Sequence, residues 1–271
     1  MSHILINILA GWAGLALFMT VLWRFAMARD NAGWVDFGWA LSLVLLLAWY
    51  SLVAGGEPWR RLFYLVLAST WGLRLSWHMF QRLRSDRNED PRYRLLREHW
   101  GESARWKFYF FFQAQGLANV FLSLPVYLLM SNRREDFSFF DLAGALVVAA
   151  AVLGESLADR QLRQWKADPS SQGRTCRKGL WAVSRHPNYF FEWVHWLAYP
   201  VLGLSLLGTT LAAWWPLTLL GPVLMLLFLI RFTGIPYTEK RALASRGEDY
   251  RKYQREVSAF FPWFPKSEPQ S

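Results

Sequence analysis

Residues 184–207 read "SRHPNYFFEWVHWLAYPVLGLSLL". Arg185, His186, Asn188 and Glu192 stand at the mouth of an apolar run that extends from about 189 to 207. Pro187 suits the first turn of a helix, where its missing N–H is not needed. From there Asn188, Glu192, His195 and Tyr199 fall at i, i+4, i+7 and i+11, which is one face of one helix. Either this polar stripe decorates a helix end, or it holds something that reaches it from the water side.

Six other runs have similar length: 4–27, 34–54, 62–81, 108–130, 139–158 and 211–232. At a rise of 1.5 Å per residue, about 20 residues cross a hydrocarbon layer of roughly 30 Å. The expectation is an all-α polytopic membrane protein with seven transmembrane helices in a single domain over 1–271. The 189–207 run is short, which suits a tilted or partly re-entrant segment. The 17 Trp and 20 Phe in 271 residues exceed what a soluble domain of this length carries. The first run has no basic n-region, and Arg24 and Arg29 follow its apolar core, so it reads as a retained helix rather than a signal peptide. No repeat with a period of 20–50 residues is apparent, and the only biased tract is the short polar tail 266–271. The single cysteine, Cys176, excludes an internal disulfide and a cysteine-based zinc site. His3, His78, His99, His186 and His195 are dispersed without a metal-binding spacing, so no metal is expected.

The net charge of +10 is unevenly placed. Basic residues crowd 82–107 (Arg82, Arg84, Arg87, Arg92, Arg94, Arg97, Arg105, Lys107), 160–185 (Arg160, Arg163, Lys166, Arg174, Arg177, Lys178, Arg185) and the tail from 231. The intervening loops on the other side hold only Arg60, Arg61, Arg133 and Arg134. The positive-inside rule then puts the N-terminus outside and the C-terminus in the cytoplasm, in a cell inner membrane if the source is bacterial. Two uses for the cations stand side by side: gripping anionic membrane lipids, or binding a phosphorylated partner. A nucleic-acid partner is not expected, because no recognisable binding module is present. Residues 236–265 read as an amphipathic cytoplasmic tail that ends in an aromatic segment at the interface.

An ionisable side chain at the centre of a spanning helix costs about 2.5–3.5 kcal/mol on insertion scales, so it usually faces a cavity or a partner. Trp71, Arg74, His78 and Arg82 share one stripe of the third helix. Glu155, Asp159 and Arg163 follow one another by turns on the fifth, where Asp159 and Arg163 read equally as a simple i,i+4 pair. Gln115 and Asn119 on the fourth read as interhelical hydrogen-bonding glue, worth about 0.6 kcal/mol on average. Asp36, in "WVDFGWA", begins the second helix, where a negative charge also complements the helix dipole. By the expected topology these groups share the cytoplasmic half, which implies a cavity with an apolar upper part and a cationic mouth. In "RLRSDRNEDPRY" (82–93) Asp90-Pro91 reads as a turn start beneath arginines suited to pyrophosphate. "GRTCRKGLW" (173–181) adds glycines and more base. No GxGxxG or GxxxxGK[ST] motif is present, so a nucleotide would be held by helix ends and arginine loops.

These residues resemble the membrane-bound steroid 5α-reductase family, in its bacterial branch. "GLWAVSRHPNYFFEW" and "RGEDYRKYQREVSAFFP" carry the resemblance, which extends to "WGLRLSWHMFQRLRSDRNEDPRY" and more weakly to "WVDFGWA". It implies seven transmembrane helices and NADPH-dependent reduction of a carbon–carbon double bond conjugated to a ketone, in an apolar, lipid-like substrate. It implies cofactor contacts from Asn188, Glu192, Asp159, Arg163, Lys166, Arg74 and Arg82, with His78, Asp90, Arg92, Tyr93 and His186 beside them. Asp36, Trp71 and Asn119 are then the substrate-side residues, and Asp36, Glu192 and Tyr199 the catalytic candidates. Phe191 stands where the family usually has a small residue, and Trp71 where its reductases have a tyrosine. The "RHPxY" start also resembles the isoprenylcysteine carboxyl methyltransferases, which implies S-adenosylmethionine as the alternative cofactor. A non-enzymatic lipid-binding membrane protein is the third reading.

Overall fold

Asp90 and Pro91 open a helix, not the expected turn. The Asp90 carboxylate accepts from the Arg92 amide at 2.9 Å and Pro91 occupies the first helical turn, so the pair acts as N-cap and N1. The computed structural model describes residues 2–85, 88–232 and 234–266; Arg87 and residues 267–271 of the polar tail lie outside them. Among the described residues all regular structure is helical. The α-helices are α1 (Ser2–Ala28), α2 (Trp34–Val53), α3 (Pro58–Ser85), α4 (Pro91–Trp100), α5 (Ala104–Met130), α6 (Phe139–Ala167), α7 (Pro187–Gly203), α8 (Leu220–Leu227) and α9 (Ile235–Glu256).

Among the described residues five helical segments are long and apolar enough to cross a membrane: His3–Ala28, Trp34–Val53, Pro91–Met130, Phe139–Ala167 and Ala212–Glu256. The other two expected spans are helical but fall short. α3 carries Arg74 and His78 inside its apolar stretch, and α7 has 17 residues. The expected uniform helix over 211–232 is irregular: Ala212–Leu219 is a 3₁₀ helix, Leu220–Leu227 is α-helical and Phe228–Phe232 forms a π turn. Pro216 and Pro222 each withdraw a backbone donor there, so the hydrogen-bond register cannot stay i→i−4 throughout. The tail from 236 begins as α9, broken at Gly247 (φ 53°, ψ −125°), and continues past Glu256 without regular structure.

The chain divides into two compact units, Met1–Ser138 with Gly203–Leu220, and Phe139–Leu202 with Gly221–Ser271. In the first, α2 packs on α1, α3 and α5. Between helices in lipid there is little hydrophobic drive, so close approach and interhelical hydrogen bonds decide the packing. Gly38 of α2 receives Leu22 of α1, and Gly72 of α3 receives Val44 of α2; a Cβ at either glycine would overlap its neighbour. Asn119 of α5 is fully buried and donates to the Trp39 carbonyl (2.7 Å) and to Ser42 Oγ (2.6 Å) of α2. Arg60, at the start of α3, is also fully buried. Its guanidinium donates to the carbonyls of Arg134 (2.6 Å) and Asp136 and to the Tyr64 hydroxyl (3.1 Å), tying down the chain that follows α5.

In the second unit, glycines again set the approach of helices. Gly144 and Gly154 of α6 lie against Leu202 and Phe191 of α7, and Gly221 lies against Trp196. Phe191, the bulky residue beside Glu192, is thus accommodated by an absent side chain on α6. Beyond α6, Trp181 Nε1 donates to the Ala158 carbonyl (2.9 Å) and the Leu180 amide to Gln161 Oε1 (2.9 Å). These bonds bring the segment before α7 back to the level where the apolar part of α6 ends.

Candidate functional site

Candidate residues gather in each unit, and each group is built by local helix geometry. In the first unit Asp36 lies in the first turn of α2, where exposed N–H groups favour a carboxylate. One carboxylate oxygen accepts from Arg92 NH2 (2.8 Å), the other from the Tyr93 hydroxyl (2.6 Å). Arg92 also donates through Nε to Asp90 Oδ1 (3.1 Å), and Arg82 at the end of α3 pairs with Asp90 Oδ2. Burial opposes ionisation of Asp90, but the hydrogen bonds and charge of Arg92, with Arg82 added, outweigh it and pull its pKa down to about 2. Glu89 extends the knot. It accepts both a fork from Arg97 (3.0 and 2.7 Å) and the Ala32 amide (2.7 Å). Of the candidates, Asp36, Arg82, Asp90, Arg92 and Tyr93 therefore form one connected cluster. Trp71 is fully buried and meets Trp39 edge-on at 5.8 Å. Arg74 and His78 lie on the same helix, both half-buried. Asn119 serves as the interhelical bond described above.

In the second unit, Pro187 begins α7 as its sequence signal requires. His195 and Tyr199 lie one turn apart and fully buried, with His195 Nε2 at 2.9 Å from the Tyr199 hydroxyl. Two turns nearer the start of α7, the Asn188 side-chain oxygen is buried without a hydrogen-bond partner. A buried amide oxygen left unpaired costs about 1–3 kcal/mol, so it marks a place where a donor is wanted. Glu192 is one turn beyond it. On α6, Glu155 is buried, Asp159 half-buried, and Arg163 and Lys166 are exposed to solvent.

His186 is engaged within the protein. Its ring is stacked on Tyr189 (5.4 Å between centroids, 5° between planes) and Nε2 lies 3.3 Å from Glu239 Oε1. Burial lowers the His186 pKa against the opposing pull of Glu239, which leaves the ring neutral at physiological pH. Glu239 of α9 is the centre of this clasp. Arg185 Nε donates to it at 2.7 Å and Gln254 Nε2 at 2.7 Å, while Arg185 NH1 reaches the carbonyls of Gln254 (3.0 Å) and Val257 (2.6 Å). Burial disfavours the charged Glu239, but bonds from His186 and Arg185 overcome it and hold its pKa at about 2. Glu239 and Gln254 were missed in the sequence, where they sit in an amphipathic tail with nothing to tie them to "RHPNY" over 50 residues away. Among the described residues no group of three or more His, Cys, Asp and Glu is gathered closely enough to hold a metal ion.

The sequence of residues 22–257, which contains both clusters, matches a family described as a protein of unknown function, DUF1295. The chain belongs to the DUF1295 family. That family is the one of steroid 5α-reductase-like membrane proteins. The chain is also similar to an uncharacterized protein of Schizosaccharomyces pombe, 28% identical over 273 residues that cover 89% of this chain and 76% of the relative. No solved structure matches it.

Proposed function

We propose that the protein is a membrane-bound, NADPH-dependent reductase of a carbon–carbon double bond conjugated to a ketone, acting on an apolar, steroid- or isoprenoid-like substrate. The observation that carries the reading is the α7 face within a DUF1295 match over 22–257, with the Asn188 oxygen buried and lacking a donor. The carboxamide N–H of a nicotinamide is a donor of the required kind, so the residues present fit the cofactor. NADPH, when bound, supplies the hydride.

The chain's own residues supply the rest. Asn188 would accept from the carboxamide, and Glu192 lies one turn along on the same face of α7. Arg163 and Lys166, exposed at the end of α6, suit phosphate oxygens; in the other unit Arg82 and Arg92 are engaged with Asp90 and Asp36. The cofactor roles of Asp159, Arg74 and His78 belong to the same proposal. His195 fixes the Tyr199 hydroxyl, which makes Tyr199 the candidate to donate to a carbonyl oxygen as charge develops there, a contribution of a few kcal/mol per donor. Asp36, with both oxygens occupied, holds Arg92 and Tyr93 in place. Trp71 supplies apolar area on the substrate side.

Seven spans, with the N-terminus outside and the C-terminus cytoplasmic, belong to this reading. It adds α3 and α7 to the five long apolar segments, and the basic loops support the orientation. The test is thermal shift of the detergent-purified protein with NADPH and with S-adenosylmethionine, followed by NADPH consumption against a panel of apolar enones. Stabilisation by NADPH and enone-dependent oxidation are expected. Stabilisation by S-adenosylmethionine alone, or by neither compound, overturns the reading.

A further inference from the structure

The chain beyond α9 is exposed, aromatic and yet firmly tied. Phe260 is 4% exposed and packs with Phe261 against Phe190 and Trp193 on the first turns of α7, at centroid distances of 5.7–6.2 Å. Phe261, Trp263 and Phe264 then stand 53%, 71% and 82% exposed. A floppy end would account for exposure, but main-chain bonds fix this one. The Arg185 amide donates to the Ser258 carbonyl (2.8 Å), the Trp263 amide to the Val183 carbonyl (2.9 Å) and the Lys266 amide to the Glu256 carbonyl (2.8 Å). Ser184 Oγ adds a bond to the Phe260 carbonyl at 2.9 Å.

We propose that residues 257–266 are a membrane-docked strap: Phe261, Trp263 and Phe264 insert among anionic lipid headgroups, and the strap's bonds to Val183, Ser184 and Arg185 hold the segment that leads into α7. Three observations choose lipid as the occupant. The first is depth. The strap is bonded to 183–185, and the neighbouring Leu180 and Trp181 are bonded to Gln161 and Ala158, where the apolar stretch of α6 gives way to charge. The second is continuity, because the strap's own aromatic partners, Phe190 and Trp193, lie on the helix that runs on into apolar sequence. The third is charge: Arg255 and Lys266 flank the exposed rings and are exposed themselves, which suits an anionic surface. Trp and Phe at the polar edge of a bilayer bury their rings while the backbone remains hydrated. The proposal is independent of the reductase reading.

The test uses the full chain in vesicles of phosphatidylcholine and phosphatidylglycerol. Replacing the lone cysteine, Cys176→Ala, permits one environment-sensitive fluorophore at Trp263→Cys or, separately, at Phe264→Cys. Blue-shifted emission at both positions, quenched more by headgroup-level than by deep acyl-chain spin labels, is expected. Water-like emission that no lipid label quenches overturns the proposal, and so does stronger quenching by the deep label. Hydrogen exchange at the Arg185 amide, read in the same vesicles, tests the coupling. The Phe261→Ser/Trp263→Ser/Phe264→Ser variant is expected to exchange there about tenfold faster, the factor corresponding to one hydrogen bond's net contribution. Unchanged exchange at Arg185 overturns the strap's hold on α7.

Discussion

Replacing Glu239 by Gln keeps the shape of the clasp and removes its charge. Arg185 and Glu239 have side chains only 11% and 15% exposed, and their 2.7 Å bond is therefore weakly screened. Breaking a buried pair by deleting one partner costs about 3–5 kcal/mol. A glutamine oxygen in place of Oε1 still accepts from Arg185 and His186, and Arg185 keeps two carbonyl acceptors, which places Glu239→Gln at about 2 kcal/mol and Glu239→Ala at about 3 kcal/mol. The pH dependence follows from the same carboxylate. Its pKa falls from 4.5 to about 2 on folding, so between those values the folded state binds fewer protons than the unfolded one. Its contribution is complete above pH 4.5 and is lost as pH falls toward 2, with an upper limit of about 3 kcal/mol. Asp90, also held at about 2, gives a slope of the same sign that persists in the variant. The assay is thermal unfolding in detergent at pH 7 and in steps from pH 5 to 3. At pH 7 Glu239→Gln is expected to unfold several degrees below the wild type, and the gap should narrow as the pH falls. Equal unfolding temperatures at pH 7, with parallel curves below pH 5, would refute the clasp.

Gly154→Ala forces a methyl group into the Phe191 ring and should cost about 1–3 kcal/mol in unfolding experiments; in combination with Phe191→Ala the glycine change should become nearly neutral. Asp36→Leu leaves the Tyr93 hydroxyl without its acceptor and should destabilise by about 1–3 kcal/mol. Asp36→Asn should lose only about 1 kcal/mol by the same measurement, because the Arg92 pair is partly solvent-screened. Arg60→Ala strips donors from the carbonyls of Arg134 and Asp136 and should cost about 2–4 kcal/mol, with faster proteolysis of the 131–138 chain as a second readout.

The helix beginning at Pro187 was legible because proline, the apolar run and the i, i+4, i+7 face all indicate the same start. Helical character was legible over every apolar run, since hydropathy of that length has few other solutions. The α4 helix was obscured because Asp-Pro signals both a turn and an N-cap, and the choice depends on whether the following residues find a packing surface. Tyr93 finds one on Phe108 and Phe111 of α5. The irregular pitch over 212–232 was written in Pro216 and Pro222, whose missing backbone donors the length of an apolar run does not display. Partners were the least legible element. Asp36 and Arg92 are 56 residues apart, Arg185 and Glu239 54, and helical periodicity gives a face without saying what meets it.

The most direct test of the central claim is NADPH titration of Asn188→Ala beside the wild type, with thermal unfolding of both in the absence of cofactor. Removing an unpaired buried oxygen should leave the unliganded protein as stable as before, or more so, while NADPH affinity falls about tenfold, one hydrogen bond's worth. Equal NADPH affinity in the two proteins, or a well-folded wild type that binds no NADPH, would contradict the account.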